Sequence, residues 1–193
     1  MFSAILDTCV LWPSLQRDFL LSLAVEGIYR PLWSDQILEE LQYVEARKLL
    51  KFGVAEDQAE SRAASLITNM RTAFDDSCVS GLDYFTQIYG LPDPNDEHVV
   101  AAAQVGGAGA IVTSNLKDFP IELMPENIDV QSPAVFALNT VEVNPSGSVN
   151  AIRNIAARSG TRGVSMTTDD VLDTLSERYS MEDAIQVIRD YWR

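Results

Sequence analysis

Hydrophobic and polar positions divide the chain into two kinds of segment. Some are short apolar runs, which are typical of buried strands; others repeat apolar residues every three or four positions, which is typical of helices with one apolar face. The short runs predict strands at residues 3–6, 28–33, 110–113 and 128–131. The longer repeats predict helices at residues 15–24, 35–50, 55–74 and 97–105, and a further helix that begins at Pro133. Strands that alternate with helices indicate an α/β fold with a central parallel sheet, covered on both faces.

The pattern changes after about residue 138. Residues 139–150, which include Asn144-Pro145-Ser146-Gly147-Ser148, have the composition of a linker. Helices are predicted beyond it, at residues 149–158, 168–178 and 181–192. The last two carry enough apolar surface that we expect them to dock on the rest of the chain or on a partner. The predicted organisation is an α/β domain at residues 1–140 and a small all-helical extension at residues 141–193.

The composition is that of a globular protein. The 193 residues are 47% hydrophobic and 22% charged, which is enough for one full core and a small appendage. No apolar run reaches the length of about 20 residues that a membrane span needs, and the N-terminus shows no secretory signal. Cys9 and Cys78 lack metal-binding spacing. A disulfide between them is the alternative, but we expect two buried free thiols in a reducing cytosol.

Four acidic residues stand where predicted strands end or helices begin. Asp7 follows the first strand and Asp118 follows the strand at residues 110–113, whereas Glu40 and Asp96 lie on or before helices. Parallel strands bring such positions together at one edge of a sheet. Carboxylates gathered without cysteine or histidine favour a hard cation, Mg²⁺ or Mn²⁺. The set indicates metal-assisted hydrolysis of a phosphodiester.

Each of these acids also has an ordinary structural explanation. Asp7 can accept hydrogen bonds from the turn after its strand, and Asn115 and Asp118 are common turn residues. Asp96 is a favoured helix N-cap, although Asp93 or Asn95 can take that role. Capping and metal binding are compatible for an aspartate, because its two oxygens can serve different partners.

Neighbouring residues narrow the choice of glutamate. Glu39 and Glu40 are about 100° apart on a helix, so only one can face a given site. Glu40 directly precedes apolar Leu41, and we therefore expect Glu40 to face the site and Glu39 to face solvent. His98, the only histidine, points about 200° away from Asp96 on the predicted helix, which favours a partly buried or surface residue over a catalytic base.

Taken in order, the motifs around these acids resemble the PIN-domain family, particularly its VapC-type ribonuclease toxins. The resemblance covers about residues 1–140. It rests on Leu6-Asp7-Thr8-Cys9-Val10-Leu11, on Glu40 before Leu41, on Asp96 seven residues before Ala103, and on Thr113-Ser114-Asn115 with Asp118-Phe119. Each motif is short, but four of them in this order with suitable spacing are specific.

The resemblance implies a PIN-like three-layer fold and an Mg²⁺- or Mn²⁺-dependent endoribonuclease, the toxin of a bacterial type II toxin–antitoxin pair. It implies that Asp7, Glu40, Asp96 and Asp118 are catalytic and bind the metal, with Asn115 as a further candidate ligand. Thr8 and Ser114 are expected to orient a carboxylate, a water molecule or the substrate. The implied partners are RNA, a cognate antitoxin protein and a second copy of the chain; no membrane is implied.

The charge of the chain favours a different kind of function. The formal net charge is −14, whereas nucleic-acid binding draws most of its affinity from basic contacts to phosphate. Arg47, Lys48 and Lys51 form the only tight basic cluster. A strongly acidic protein suits a basic protein segment as its partner. The alternative prediction is therefore a catalytically weak PIN-like module that acts by holding a protein partner.

Overall fold

A computed structural model describes residues 2–82, 88–161 and 164–193. These residues contain a five-stranded parallel sheet with the strand order β3-β2-β1-β4-β5. The strands are β1 (Ser3–Leu6), β2 (Arg30–Ser34), β3 (Cys78–Val79), β4 (Ala110–Val112) and β5 (Asp129–Gln131). Packing divides the chain into two compact units: a sheet unit, residues 2–12 and 31–130, and a helical unit, residues 13–30 and 131–193. The predicted α/β class with a central parallel sheet and a helical C-terminal region is confirmed.

The central strand of the sheet is β1. It pairs with β4 in parallel register, with Ile5 opposite Ile111 and Leu6 opposite Val112, and all four of these side chains are fully buried. The chain first adds β2 and β3 on one side of β1, and then returns to add β4 and β5 on the other. This reversal makes the carboxyl ends of β1 and β4 a topological switch point, the place where open α/β sheets bind ligands.

The helices of the sheet unit are α1 (Thr8–Leu11), α3 (Asp35–Lys51), α4 (Glu56–Ala73) and α5 (Glu97–Gly106). Ser34 starts α3, because its side chain accepts a hydrogen bond of 3.1 Å from the backbone N–H of Ile37. One face of α3 is buried through Ile37, Leu38 and Leu41, and the rest of the helix is available to solvent and to α4. Gly107 ends α5 in the left-handed conformation, with φ of 65°, which turns the chain toward β4.

The helical unit consists of α2 (Ser14–Val25), α6 (Pro133–Val143), α7 (Pro145–Arg158), α8 (Thr168–Tyr179) and α9 (Glu182–Trp192). Helix α7 packs against α2, α8 and α9, and α6 packs against α9. Tyr29 and Phe136 meet edge to face, with ring centroids 4.9 Å apart. The apolar face of the last two helices is buried here through Val171, Leu172, Leu175, Ile185 and Ile188.

The prediction of a linker at residues 139–150 is wrong. Helix α6 continues to Val143 and α7 begins at Pro145, so Asn144 alone separates them. The Asn144 side chain accepts a hydrogen bond of 3.0 Å from the backbone N–H of Gly147, and a proline suits the first position of a helix. Turn-forming residues here start a helix instead of a linker. The division of the chain at residue 140 stays a prediction.

Two short elements, α1 and β3, carry too few residues for a periodic pattern and are absent from the sequence prediction. Among the described residues, no helix has both the length and the apolar character needed to cross a membrane.

Candidate active site at the carboxyl end of the sheet

Asp7 stands at the switch point between β1 and β4. Its backbone N–H donates to the carbonyl oxygen of Val112 at 3.1 Å, which extends the ladder between the two strands by one residue. Its Oδ2 accepts hydrogen bonds from Oγ1 of Thr113 at 2.7 Å and from Sγ of Cys9 at 2.9 Å. The sulfur of Cys9 in turn accepts the backbone N–H of Ser114 at 3.1 Å. These bonds hold the carboxylate in one orientation over the ends of both strands.

Asp7 does not cap the helix that follows it, but it does accept a hydrogen bond from the turn after its strand, the structural role that the sequence allowed. The residue occupies the N-cap position of α1, but its side chain makes no capping hydrogen bond. It is 7% exposed, and a buried carboxylate needs the donors that Thr113 and Cys9 supply. Burial first, and then the charge of Asp7, raise the pKa of the Cys9 thiol to about 11, so this sulfur remains a neutral donor at physiological pH.

Glu40 is held between two helices. Oγ1 of Thr8 donates to its Oε2 at 2.8 Å, and Nε2 of His98 lies 3.2 Å from its Oε1. Gln36, one turn earlier on α3, donates to the same Oε1 at 3.4 Å. The hydrogen bond from His98 is the main cause that lowers the pKa of Glu40, and burial opposes it. Glu39 is exposed, as expected from the sequence.

Asp96 lies at the start of α5. Its side chain makes no capping hydrogen bond. The 3₁₀ turn that Asp96 ends, Pro94–Asp96, is capped by Asp93, which accepts the Asn95 N–H at 2.9 Å. Burial, and after it the negative charges of Asp7, Asp93 and Asp118, raise the pKa of Asp96 to about 6. Asp93 belongs to the same turn as Asp96, but Asp7 and Asp118 come from two other segments, so Asp96 lies near the end of β1 and the turn after β4.

The turn after β4 supplies the remaining candidates. Asp118 ends the 3₁₀ turn Leu116–Asp118, and its charge reaches Asp96. The backbone N–H of Asn115 donates to Oγ1 of Thr113 at 3.1 Å, so the turn is tied to the same hydroxyl that holds Asp7. Ser114 and Asn115 are exposed, and the Asn115 side chain makes no capping bond. An amide carries no charge, so this interaction leaves both Asp118 and Asn115 as candidate ligands.

The chemistry of these side chains suits a hard divalent cation. Asp7, Asp96 and Asp118 offer carboxylate oxygens, the ligands that Mg²⁺ and Mn²⁺ prefer. Within residues 2–82, 88–161 and 164–193, no three histidine, cysteine, aspartate or glutamate side chains converge closely enough to form a ready-made cage. The carboxylates are therefore ligands of the right type, and they repel one another. Among the described residues they do not surround a single point.

Three residues of the site were not assigned a role from the sequence. Cys9 and Thr113 bind Asp7, and His98 binds Glu40, although the sequence predicted only a partly buried or surface position for His98. Its side chain is 14% exposed, and in the described part of the chain its buried Nδ1 has no hydrogen-bond partner. The helical spacing did place His98 on the side of α5 opposite Asp96. The spacing along one helix could not show that α3 brings Glu40 to the same side as His98.

Comparison with known proteins supports the same assignment. The PIN-domain family model matches residues 3–117, which is more than half of the chain and includes Asp7, Glu40 and Asp96. Neither a curated protein nor a solved structure matches the chain. The fold, the position of the acids at the switch point and the extent of the match lead to one conclusion: the chain belongs to the PIN-domain family, whose function is of the nuclease type.

Proposed function

We propose that this protein is an Mg²⁺- or Mn²⁺-dependent endoribonuclease and the toxin of a bacterial type II toxin–antitoxin pair. The observation that carries the nuclease part is the position of Asp7 at the switch point, where Asp96 and Asp118 are close enough to interact with it or with each other electrostatically. Mutual repulsion of carboxylates costs folding free energy, and sites that bear this cost are frequently functional. The toxin role rests on the resemblance of the four acidic motifs to VapC-type proteins.

Asp7, Asp96 and Asp118 are the residues that would hold the metal. When bound, a divalent cation polarises a phosphate oxygen and lowers the pKa of a coordinated water molecule. Glu40 accepts three hydrogen bonds, from Thr8, His98 and Gln36, whereas an ionised carboxylate has about four acceptor sites. One acceptor site thus remains to orient a water molecule or to complete the metal shell.

The neighbouring side chains hold these carboxylates in place. Thr113 and Cys9 fix Oδ2 of Asp7, which leaves Oδ1 for the metal. Thr8 fixes Glu40, which agrees with the predicted role of Thr8 in orienting a carboxylate. Asp96 becomes negatively charged as the pH rises through about 6, so the acidic set is fully charged only near neutral pH. Ser114, whose backbone N–H binds Cys9, is exposed and available to contact substrate.

The partners in this proposal are an RNA substrate and a cognate antitoxin, and the site of action is the cytoplasm. An antitoxin that carries a basic segment suits a chain of net charge −14. A homodimer is also proposed from the resemblance.

One alternative function is favoured by specific observations. The net charge opposes RNA binding, and the described acidic side chains form no ready-made metal cage. A PIN-like module that has kept its acids but acts by holding a protein partner is consistent with both facts. The two functions differ in one measurable respect, since only the nuclease cleaves RNA.

The deciding experiment incubates the purified protein with RNA in Mg²⁺, in Mn²⁺ or in EDTA, and compares it with Asp7→Asn. The variant keeps the shape of the side chain but loses its charge, so we expect cleavage to fall by about 100-fold or more. Protein treated with EDTA should regain activity when Mg²⁺ is restored. Cleavage by Asp7→Asn at the wild-type rate contradicts the nuclease site, and absence of cleavage by the wild type favours the binding module. For the toxin role, expression should arrest growth of the host cell, and co-expression of the antitoxin should restore it.

A further inference from the structure

Helix α3 carries a polar stripe that runs away from the candidate site. Its members recur every three or four residues and are Gln36, Glu40, Tyr43, Arg47 and Lys51. On an α-helix these positions fall within an arc of about 80°, so they share one face. Glu40 belongs to the site, and the other four residues are exposed. The stripe therefore forms a continuous surface that begins at the site and extends about 16 Å beyond Glu40 to Lys51.

Two of the cations without a carboxylate partner among the described residues lie on this stripe. Arg71, Arg158 and Arg189 are each paired with an aspartate. Neither Arg47 nor Lys51 pairs with a carboxylate among the described residues. The stripe thus offers two cations that remain available to an anionic partner.

Neighbouring Lys48 is engaged in a different way. Its ammonium group is bound by Glu45 and lies 3.5 Å from the carbonyl oxygen of Trp12. Lys48 is therefore not part of the stripe.

Arg47 and Tyr43 form one structural unit. The guanidinium carbon of Arg47 lies 5.5 Å from the centre of the Tyr43 ring, and its Nη1 donates to the Tyr43 hydroxyl at 3.3 Å. Tyr43 is 62% exposed; Arg47 lies over one face of its ring, and Glu39, Asp57 and Glu60 line the groove that Tyr43 shares with α4. The other face of the ring is the one available to a base. Aromatic rings on which bases stack, next to cations that bind phosphate, are the elements with which proteins hold single-stranded RNA.

We propose that this stripe of α3 is the track along which a single-stranded RNA reaches the site. Tyr43 stacks a base, Arg47 and Lys51 bind phosphates on the same strand, and Glu40 marks the end at which cleavage occurs. The assignment rests on the proposed nuclease function and deepens it, because it names the surface of this chain that binds the substrate. The net charge of the chain is −14, which opposes RNA binding as a whole. Arg47 and Lys51 supply cationic contacts to phosphate locally.

Binding is best tested apart from cleavage. In Asp7→Asn protein with Mg²⁺, a fluorescently labelled single-stranded RNA oligonucleotide is titrated by anisotropy, and Arg47→Ala or Tyr43→Ala is added to this background. Loss of stacking at one base typically weakens binding about 5- to 100-fold, and we expect a decrease in that range for each variant. Arg47→Ala should also reduce the salt dependence of log Kd by about 0.7. The matched control is Arg62→Ala, an exposed arginine on α4, which should bind as its parent does.

Cleavage kinetics give the second arm. In otherwise wild-type protein, Arg47→Ala should raise KM while kcat stays close to the wild-type value, because Arg47 lies away from the reacting groups. Thermal scans should show that the exposed Tyr43 and Arg47 variants are folded. Arg47→Lys keeps the charge but loses the planar group, so it should recover part of the affinity and most of the salt dependence.

The outcomes separate this proposal from the nuclease function. If Arg47→Ala and Tyr43→Ala bind RNA as tightly as their parent while the wild type cleaves it, the track is overturned and the nuclease stands. If the variants lose binding but the wild type does not cleave, the track stands and the nuclease is overturned. An equal loss in Arg62→Ala would show that the attraction is spread over the surface, which also overturns the track.

Discussion

Nε2 of His98 lies 3.2 Å from Oε1 of Glu40, so the only histidine of the chain ties α5 to the carboxylate on α3. Thr8, directly after Asp7, holds the other oxygen of the same carboxylate at 2.8 Å. Glu40 is thus fixed from two sides by residues that are far apart in the sequence. Its neighbour Glu39 is exposed and shares none of these contacts.

Glu40→Gln and Glu39→Gln should therefore differ in activity. A glutamine at position 40 keeps the size of the side chain but loses its charge, and we expect RNA cleavage to fall by about 10- to 100-fold. Glu39→Gln is the matched control and should cleave close to the wild-type rate. Initial rates on one labelled RNA measure both variants. A larger loss in Glu39→Gln than in Glu40→Gln would mean that the wrong glutamate was assigned to the site.

Asp96→Asn should stabilise the protein near neutral pH when no divalent metal is present. The folded-state pKa of Asp96 is about 6 and the unfolded value is 3.8, so the stability that this group contributes is fully present below about pH 4 and is lost as the pH rises through about 6. A shift of two units corresponds to about 3 kcal/mol, and solvent screening of a half-exposed carboxyl reduces it, so we expect about 1 kcal/mol.

In thermal scans at pH 7.5 this gain corresponds to an increase in Tm of about 2–4 °C. The difference between Asp96→Asn and the wild type should shrink to nothing below about pH 4, where the aspartate is protonated in both states. Glu40→Gln is a useful contrast, because hydrogen bonding lowers the pKa of Glu40 and its loss should destabilise the protein at pH 7.5. A lower Tm for Asp96→Asn at pH 7.5 would contradict the repulsion among the aspartates.

Mg²⁺ or Mn²⁺ should raise the melting temperature, because a ligand that binds only the folded state stabilises it by mass action. At a concentration of 100 times Kd the gain is about 2.7 kcal/mol, which corresponds to about 5–10 °C in Tm. Scans with NaCl at the same ionic strength control for screening of the net charge. Asp7→Asn should show a smaller shift, and equal shifts in both proteins would argue against Asp7 as a ligand.

Cys9 should matter through its hydrogen bonds and not through its reactivity. Its thiol donates to Asp7 and accepts the backbone N–H of Ser114, and its pKa of about 11 keeps it neutral. Cys9→Ala removes both bonds, and we expect cleavage to fall by about 10- to 100-fold. Cys9→Ser keeps a donor and an acceptor at this position and should recover most of the rate. A serine variant as weak as the alanine variant would show that the size of sulfur is what matters.

Phe136→Ala should strongly destabilise the helical unit. The side chain is 1% exposed and packs against Tyr29, so its truncation leaves a cavity and should cost about 3–5 kcal/mol of unfolding free energy. Val135→Ala on the same helix is the control, because Val135 is 50% exposed and should change stability by about 0.5 kcal/mol or less. Urea denaturation of both variants measures the difference. A cost below that of Val135→Ala would place Phe136 outside the core.

The sequence by itself determined where most helices and strands lie and which acids stand at their ends. Periodicity and capping are local properties, and they hold for α3 and its cap Ser34 whatever the rest of the chain does. The same locality placed Asp7 at the end of an apolar strand and Glu40, not Glu39, beside the buried face of its helix. Short elements such as α1 contain too little pattern to be predicted in this way.

Only the tertiary structure decided which side chains meet. Thr113 reaches Asp7 across 106 residues because β1 and β4 pair in one register, and His98 reaches Glu40 because α5 and α3 turn those faces toward each other. The tertiary structure also grouped α2 with the C-terminal helices, and it continued helices through a stretch with the composition of a linker. Such contacts depend on strand register and on the packing of buried surfaces, and neither can be read from the spacing of residues along one segment.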